Sequence, residues 1–295
     1  MSESLLELTD RLTLQQGYNV TGLPSVRLLR SEAVLQDVPV LYRPGVVFVL
    51  QGAKQGVLDD VVYRYDADHY LAVSIPVPFR MASQASPEKP LLAIYVDFDL
   101  RLASDIAVTL EPKQKNSTLR ARSLVSSPME PMMTDTVFRL LRALSNPQEL
   151  AVLGPGLLRE LHYRVLVGPQ GGALSAAIQQ HGVTGKISQS LTVLRERYAE
   201  AISVAELAAG AGMSVPSFHV HFKALTGNTP IQYLKAIRLH EARLMIARKE
   251  GPVSAIAARV GYVSSAQFSR DFRRHFRRSA TEEAKWVREH LGQIE

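Results

Sequence analysis

Two stretches in the last third of the chain pair a phenylalanine face with a polar, mostly basic one. Phe268 and Phe272 stand four residues apart, and on a helix both fall on one side. Gln267, Arg270, Arg273 and Arg274 fall on the other. Earlier in the chain Phe218 and Phe222 repeat the spacing, with His219, Val220 and Lys223 opposite. An apolar inner face and a polar outer one suit a helix that rests on a core and offers its outer side to a polyanion groove.

The surroundings of the two stretches repeat as well. Leu207-Ala208-Ala209 with Gly212 aligns with Ile256-Ala257-Ala258 with Gly261. Beyond each glycine, Ser214, Phe218 and Phe222 align with Ser264, Phe268 and Phe272, with one extra residue after Tyr262. Each copy reads as a short helix, a glycine turn and a longer helix, the layout of a helix-turn-helix. The alanines allow close helix approach, and Gly212 and Gly261 can take the positive φ that ends the first helix. Ser214 and Ser264 are placed as N-caps of the second helices. Ser203 with Glu206, and Ser264 with Gln267, read as capping boxes. Between the copies Thr229-Pro230-Ile231-Gln232 opens a helix expected to run to near Arg248. Its expected buried stripe is Leu234, Ile237, Leu244 and Met245. One helix joining the two units would fix their spacing, and second helices in adjacent major grooves would lie about 34 Å apart.

The charge follows the same division. Of 295 residues, 46% are hydrophobic and 21% charged, and the net charge is +6. Residues 1–185 carry 17 basic and 18 acidic side chains, and residues 186–295 carry 17 and 10. The excess therefore sits beside the repeat, as contact with a polyanion requires. There is no cysteine, which excludes disulfides, thiolate metal sites and thiol redox sensing. No apolar run is long enough to span a bilayer. The acidic start is not a secretory signal, so no membrane partner and a cytoplasmic location are expected.

Residues 20–100 follow another pattern. Val46–Leu50 closes at Gln51-Gly52, Val61–Tyr65 and Tyr70–Val73 flank the turn Asp66-Ala67-Asp68, and Leu91–Val96 ends at Asp97. Such short β-branched or aromatic runs belong to a barrel or sandwich. Pro76, Pro78, Pro87 and Pro90 break up the stretch between strands. From about residue 100 the period becomes helical, with helices expected over Thr134–Ser145, Gly156–Leu166 and Ala173–Gln180 and a break at Gly168–Gly172. Their apolar stripes fit dimer formation or packing on the barrel equally well. His181–Gly185 reads as a linker, which sets a domain of residues 1–182 before one of 183–295.

The C-terminal residues resemble the AraC/XylS family of bacterial regulators over 186–290. The carriers are Leu207-Ala208, Gly212-Met213-Ser214, His221-Phe222-Lys223, Thr226-Gly227, Pro230, Tyr233, Arg238-Leu239, Ala242-Arg243, Ala257, Val260-Gly261-Tyr262, Ser264, Gln267-Phe268-Ser269-Arg270 and Phe272. The resemblance implies base-edge contacts by Pro216, His219 and Val220 in the first unit and by Ser265, Ala266, Gln267 and Arg270 in the second. Gln can bond adenine and Arg guanine in two places, at about 1–3 kcal/mol of discrimination each. Lys223, Arg273 and Arg274 are then phosphate contacts. Two positions depart from the family: Arg277 stands where Gly is usual, and Ala280 where Pro is. Where Val220 stands, the family often has a basic residue.

Residues 24–100 resemble the N-terminal domain of one AraC-type subgroup. The carriers are Leu50-Gln51-Gly52-Ala53-Lys54, Tyr63-Arg64-Tyr65, Tyr70-Leu71, Pro76-Val77-Pro78 and Ala85–Pro90. This implies an α+β chain: a cupin-like sensor barrel with a helical extension, then an all-α domain of two helix-turn-helix units. Tyr42, Arg43, Tyr63, Tyr70 and Arg80 are the candidates to face a ligand. The barrel region holds one histidine, His69, so a cupin metal site, which needs several, is not expected. No catalytic motif and no cofactor are read. The expected function is a transcription regulator, with double-stranded promoter DNA, an unidentified small molecule, a second copy of the chain and, for an activator, RNA polymerase as partners. The competing readings are a cupin-type small-molecule enzyme with an accessory DNA-binding domain, and an architectural DNA binder.

Overall fold

The computed structural model describes residues 4–110, 122–178 and 182–290. Chain contacts group them into two compact units: Met1–Asp37, Tyr42–Pro76 and Met81–Gln179 in the first, and Val38–Leu41, Val77–Arg80 and Gln180–Glu295 in the second.

Along the chain a helix, α1 (Leu5–Leu12), precedes β1 (Gly17–Val20), β2 (Val26–Ser31), β3 (Leu35–Leu41), β4 (Gly45–Gln51), β5 (Ala53–Leu58), β6 (Val61–Asp66), β7 (His69–Val73), β8 (Pro78–Gln84) and β9 (Leu91–Asp97). Next come α2 (Leu100–Thr109), β10 (Leu124–Pro128), α3 (Pro131–Leu144), α4 (Pro147–Val167) and α5 (Gly171–Ile178). The strands form one sheet in the order β1-β2-β9-β4-β7-β6-β5-β8-β3, with β10 added beside β7. Strand register decides the faces. Val46, Phe48, Ile94, Val96 and Leu28 share one face and enter a single core with Val137, Leu140, Leu141, Leu157, Leu161 and Val165 of α3 and α4. The two helical stripes therefore cover their own sheet. Tyr18, Leu29, Val47, Val49, Ala93 and Tyr95 share the opposite face. The sheet curls over that face: Lys54 of β5 reaches Tyr95 of β9, which lies four places away in strand order.

Three differences from the sequence reading have local causes. The proline-broken stretch contains β8, because Pro78 is its first residue, a place where a strand tolerates the missing N–H. Past residue 100 the chain returns to the sheet as β10, pairing Leu124–Pro128 with β7. The helix expected from Gly156 begins at Pro147 and carries Pro155 inside it. Leu150 and Leu157, on either side of that proline, are held in the same core, so packing outweighs the lost hydrogen bond.

The second unit contains α6 (Gly182–Glu196), α7 (Val204–Gly210), α8 (Val215–Thr226), α9 (Pro230–Ala247), α10 (Val253–Arg259), α11 (Ser265–Phe276) and α12 (Ala280–His290). Gly182, Val183, Thr184 and Gly185, read as linker, belong to α6, and His181 lies outside the described residues. The long helix α9 is capped at Thr229 by a reciprocal box with Gln232. Its expected stripe is too narrow. Leu234 and Ile237 are buried, Leu244 and Met245 half-buried, and Tyr233, Leu239, His240, Ala242, Arg243 and Ile246 are buried as well. The cause is that α9 packs on α6 and α8 and also on α10, α11 and α12.

The turn after α11 keeps its form without the family's glycine. Arg277 takes φ 61°, as Gly227 takes φ 68° after α8, and Ser279 caps the following helix through Glu282. An L residue is strained in that region. Arg277→Gly is therefore expected to stabilise the unit by about 0.5–1 kcal/mol, the relief of strain exceeding the added unfolded-chain entropy. Urea unfolding read by the fluorescence of Trp286, the single tryptophan, checks it. An unchanged or lower midpoint would show that the turn is not strained.

Candidate nucleic-acid interface

The first unit of the repeat is α7, a turn and α8. Ser203 and Glu206 close a capping box on α7, and Gly212 ends the helix at φ 63°. The Ser214 hydroxyl then accepts the Ser217 N–H at 3.4 Å and starts α8. Phe218 and Phe222 are fully buried, and Tyr233 of α9 meets Phe222 edge-on at 5.5 Å. Burial of that row leaves Pro216, Val220 and Lys223 exposed and His219 half-buried. Val220 is 67% exposed, an apolar side chain held in water.

The second unit is α10, a turn and α11. Gly261 has φ 88°, and a Cβ there would lie 2.4 Å from the Ala199 carbonyl oxygen, so only glycine fits. Ser264 accepts the Gln267 N–H at 3.3 Å, but the return bond that would complete a box is not made. The Gln267 side chain is consequently not spent on the cap. Phe268, Phe272 and Phe276 form a buried stack with Tyr262, with ring centres 4.6–5.3 Å apart. Ser265, Ala266, Gln267, Arg270, Arg273 and Arg274 are exposed.

Asp271 organises the back of α11. It is buried, takes Arg274 at 2.5 Å and Lys235 of α9 at 3.1 Å, and accepts the Tyr262 hydroxyl at 3.5 Å. Burial and the Asp271 charge push the Tyr262 phenol up. Arg274 is thus tethered, whereas no described ion pair involves Arg270 or Arg273. The outer face of α11 therefore presents an amide and two guanidiniums outside any described ion pair.

The ligand candidates separate. Tyr42 is buried with its hydroxyl 3.3 Å from that of Tyr65, and Lys54 donates to it at 3.2 Å. Tyr70 lies in the helix-covered core beside Phe48. Tyr63 is half-buried and Arg43 exposed. Arg80 falls in the second compact unit, where its guanidinium donates to the His275 carbonyl at 3.4 Å. Lys54, Tyr65 and Tyr95 are not among the ligand candidates that the sequence offers. The only signal for Lys54 was its place in the matched Leu50–Lys54 run. Exposed His69 is bonded to Asp66 at 3.2 Å. Among the described residues no group of three or more His, Cys, Asp or Glu could hold a metal, and no helix could cross a membrane.

A curled sheet domain thus precedes a double helix-turn-helix domain. The family model for the AraC-type transcriptional regulator N-terminus matches residues 22–173, and a helix-turn-helix domain model matches residues 207–285. The chain belongs to the AraC-type transcriptional regulators. It is 36% identical over 91 residues to the HTH-type transcriptional activator RhaS of Klebsiella pneumoniae (strain 342), covering 31% of this chain and 33% of that one. It is 35% identical over 108 residues to the probable transcriptional regulator LumQ of Photobacterium leiognathi, covering 35% and 44%. The chain thus spans less than half the length of these curated relatives. Unsaturated fatty acid-bound ToxT from Vibrio cholerae strain SCE256 has the same fold, with a TM-score of 0.64 at 13% identity over 95% of this chain and 98% of that one. ToxT from Vibrio cholerae O395 bound to (E)-4-(8-methylnaphthalen-1-yl)but-3-enoic acid gives 0.61 at 12% identity over 89% and 98%.

Proposed function

We propose that this protein is a cytoplasmic, sequence-specific regulator that sets α8 and α11 in successive major grooves of promoter DNA. The carrying observation is the exposed row Gln267, Arg270 and Arg273 on a helix whose other side is a buried phenylalanine stack. Gln267 and Arg270, with Ser265 and Ala266, read base edges, and Arg273, Arg274 and Lys223 meet phosphates. Pro216, His219 and the water-exposed Val220 give the first unit an apolar reading surface suited to thymine methyls. A small molecule in the N-terminal barrel controls the protein, a reading supported by the ligand-bound structures of the same fold. The protein acts as a homodimer. Exposed Val152, Leu153, Tyr163 and Val167 on α4 support this, since they are left over when the helix has covered its sheet. As an activator it has RNA polymerase as a further partner.

Selection from random DNA followed by footprinting should return one site protected in two adjacent major grooves. Arg270→Ala should relax base preference at one position by about 1–3 kcal/mol. Lys223→Ala should weaken all sequences alike and lower the salt slope by about one. Equal losses on every sequence in both variants would contradict the assignment, and binding without sequence preference would favour an architectural role.

A further inference from the structure

The inner face of the curled sheet holds a buried lysine whose described hydrogen-bond partners are phenols. Lys54 is 2% exposed, and its ammonium donates to the Tyr95 hydroxyl at 2.6 Å and to the Tyr42 hydroxyl at 3.2 Å. It also lies 5.3 Å from the centre of the Tyr95 ring and 5.8 Å from that of Tyr42. Among the described residues it makes no ion pair. Lys54 and Tyr65 are direct cross-strand partners, so they share one face of the sheet.

A second group on this face points the same way. Arg27 stands opposite Tyr95 in the register and stacks over Tyr18, whose ring meets that of Tyr95 edge-on at 5.2 Å. One guanidinium nitrogen bonds Asp97 at 2.9 Å, but the Arg27 Nε is buried with no hydrogen-bond partner. A buried ammonium with only phenol partners is costly, and so is a buried unpaired N–H. An anion between them relieves both. Leu29, Val47, Val49 and Ala93 complete the face, and they suit an apolar body behind the charged head.

We propose that Lys54 is the anion anchor of the barrel's ligand site, and that the regulating molecule is a small carboxylate with an apolar body. The ammonium and the phenol hydroxyls hold its two oxygens, and the Arg27 Nε gives a further donor. This rests on the reading that the barrel holds the controlling molecule. The docking of α8 and α11 on DNA is independent of it.

The test uses the full chain and two matched pairs of probes, benzoate with benzamide and octanoate with octanol, read by calorimetry and thermal shift. At least one acid should bind at least about tenfold tighter than its neutral partner. Lys54→Met should weaken that acid by about ten- to a hundredfold and leave the neutral partner unchanged. Removing a buried charge for an apolar side chain of similar size is tolerated by folds, so this variant is expected to fold. Equal binding of acid and neutral probe overturns the anchor while leaving a ligand-binding barrel. The anchor is likewise overturned if Lys54→Met keeps full affinity for the acid. If no probe binds, the carboxylate proposal falls, and footprinting still decides the DNA reading. An independent measurement needs no variant: a phenolate band in the near-ultraviolet spectrum of the ligand-free protein at neutral pH would show Tyr95 to be the counter-ion, and would overturn the proposal.

Discussion

Replacing Arg238 with alanine should destabilise the second unit by about 3–4 kcal/mol and abolish specific DNA binding at ordinary temperatures. The side chain leaves α9 and donates to three backbone carbonyls: Tyr198 at 2.6 Å, Glu200 at 2.7 Å and Gly261 at 3.0 Å. The first two follow α6, where the chain enters the first helix-turn-helix. The third is the glycine turn of the second. One planar fork therefore ties the start of one reading unit to the turn of the other. A hydrogen bond to a charged group contributes about 1.5–3 kcal/mol, and the half-exposed site lets water replace part of that after truncation. Arg238→Lys should recover little, because an ammonium lacks the fork that meets three carbonyls at once. The readout is Trp286 in α12, stacked against Arg278 at 4.5 Å, so its fluorescence follows this unit alone. A loss below about 1 kcal/mol in urea would mean that the three carbonyls find other partners.

The same residue shows what could be read from the sequence. Arg238 was visible as part of a family match, but its three acceptors lie in segments far from it in the chain. The recognition helices were legible because their signals are local: Ser214 and Ser264 as caps, Gly212 and Gly261 at positive φ, and phenylalanines every fourth residue. The Ser264 box was half right. Its forward bond depends on the backbone alone, whereas the return bond depends on where an amide side chain settles. Strands β4, β6, β7 and β9 announced themselves by apolar runs. β8 did not, because its leading proline reads as a breaker until it is known to start the strand. Lys54 was hidden for a related reason. A lysine in a six-residue strand reads as solvent-facing, and only the curl of the sheet brings Tyr95 over it. The face a charged residue occupies is settled by closure between distant strands, which local pattern does not encode.

Mild acid should unfold the second unit through a histidine pair behind α11. His240 of α9 and His275 of α11 face each other with their Nε2 atoms 3.3 Å apart. Burial, then the charges of Arg243, Arg80 and Arg274, hold His275 down from 6.5 to about 4. Burial, then Arg243 and His275, hold His240 well below its ordinary value. Both are neutral in the folded protein near pH 7, one donating to the other. The unfolded chain takes up protons first as pH drops, so the stabilisation is complete above about 6.5 and is lost toward about 4. For His275 alone this amounts to about 2 kcal/mol by pH 5 and about 3 kcal/mol by pH 4. His240 adds in the same direction. Glu283 of α12, raised by burial against the pull of Arg243 and Arg278, works the other way, gaining stability as it protonates. Urea midpoints followed through Trp286 should therefore fall steeply between about pH 7 and pH 5. His275→Gln can still bond His240 but cannot take up a proton, so it should lower the midpoint at neutral pH and flatten the slope. A slope unchanged in that variant would place the acid sensitivity elsewhere in the unit.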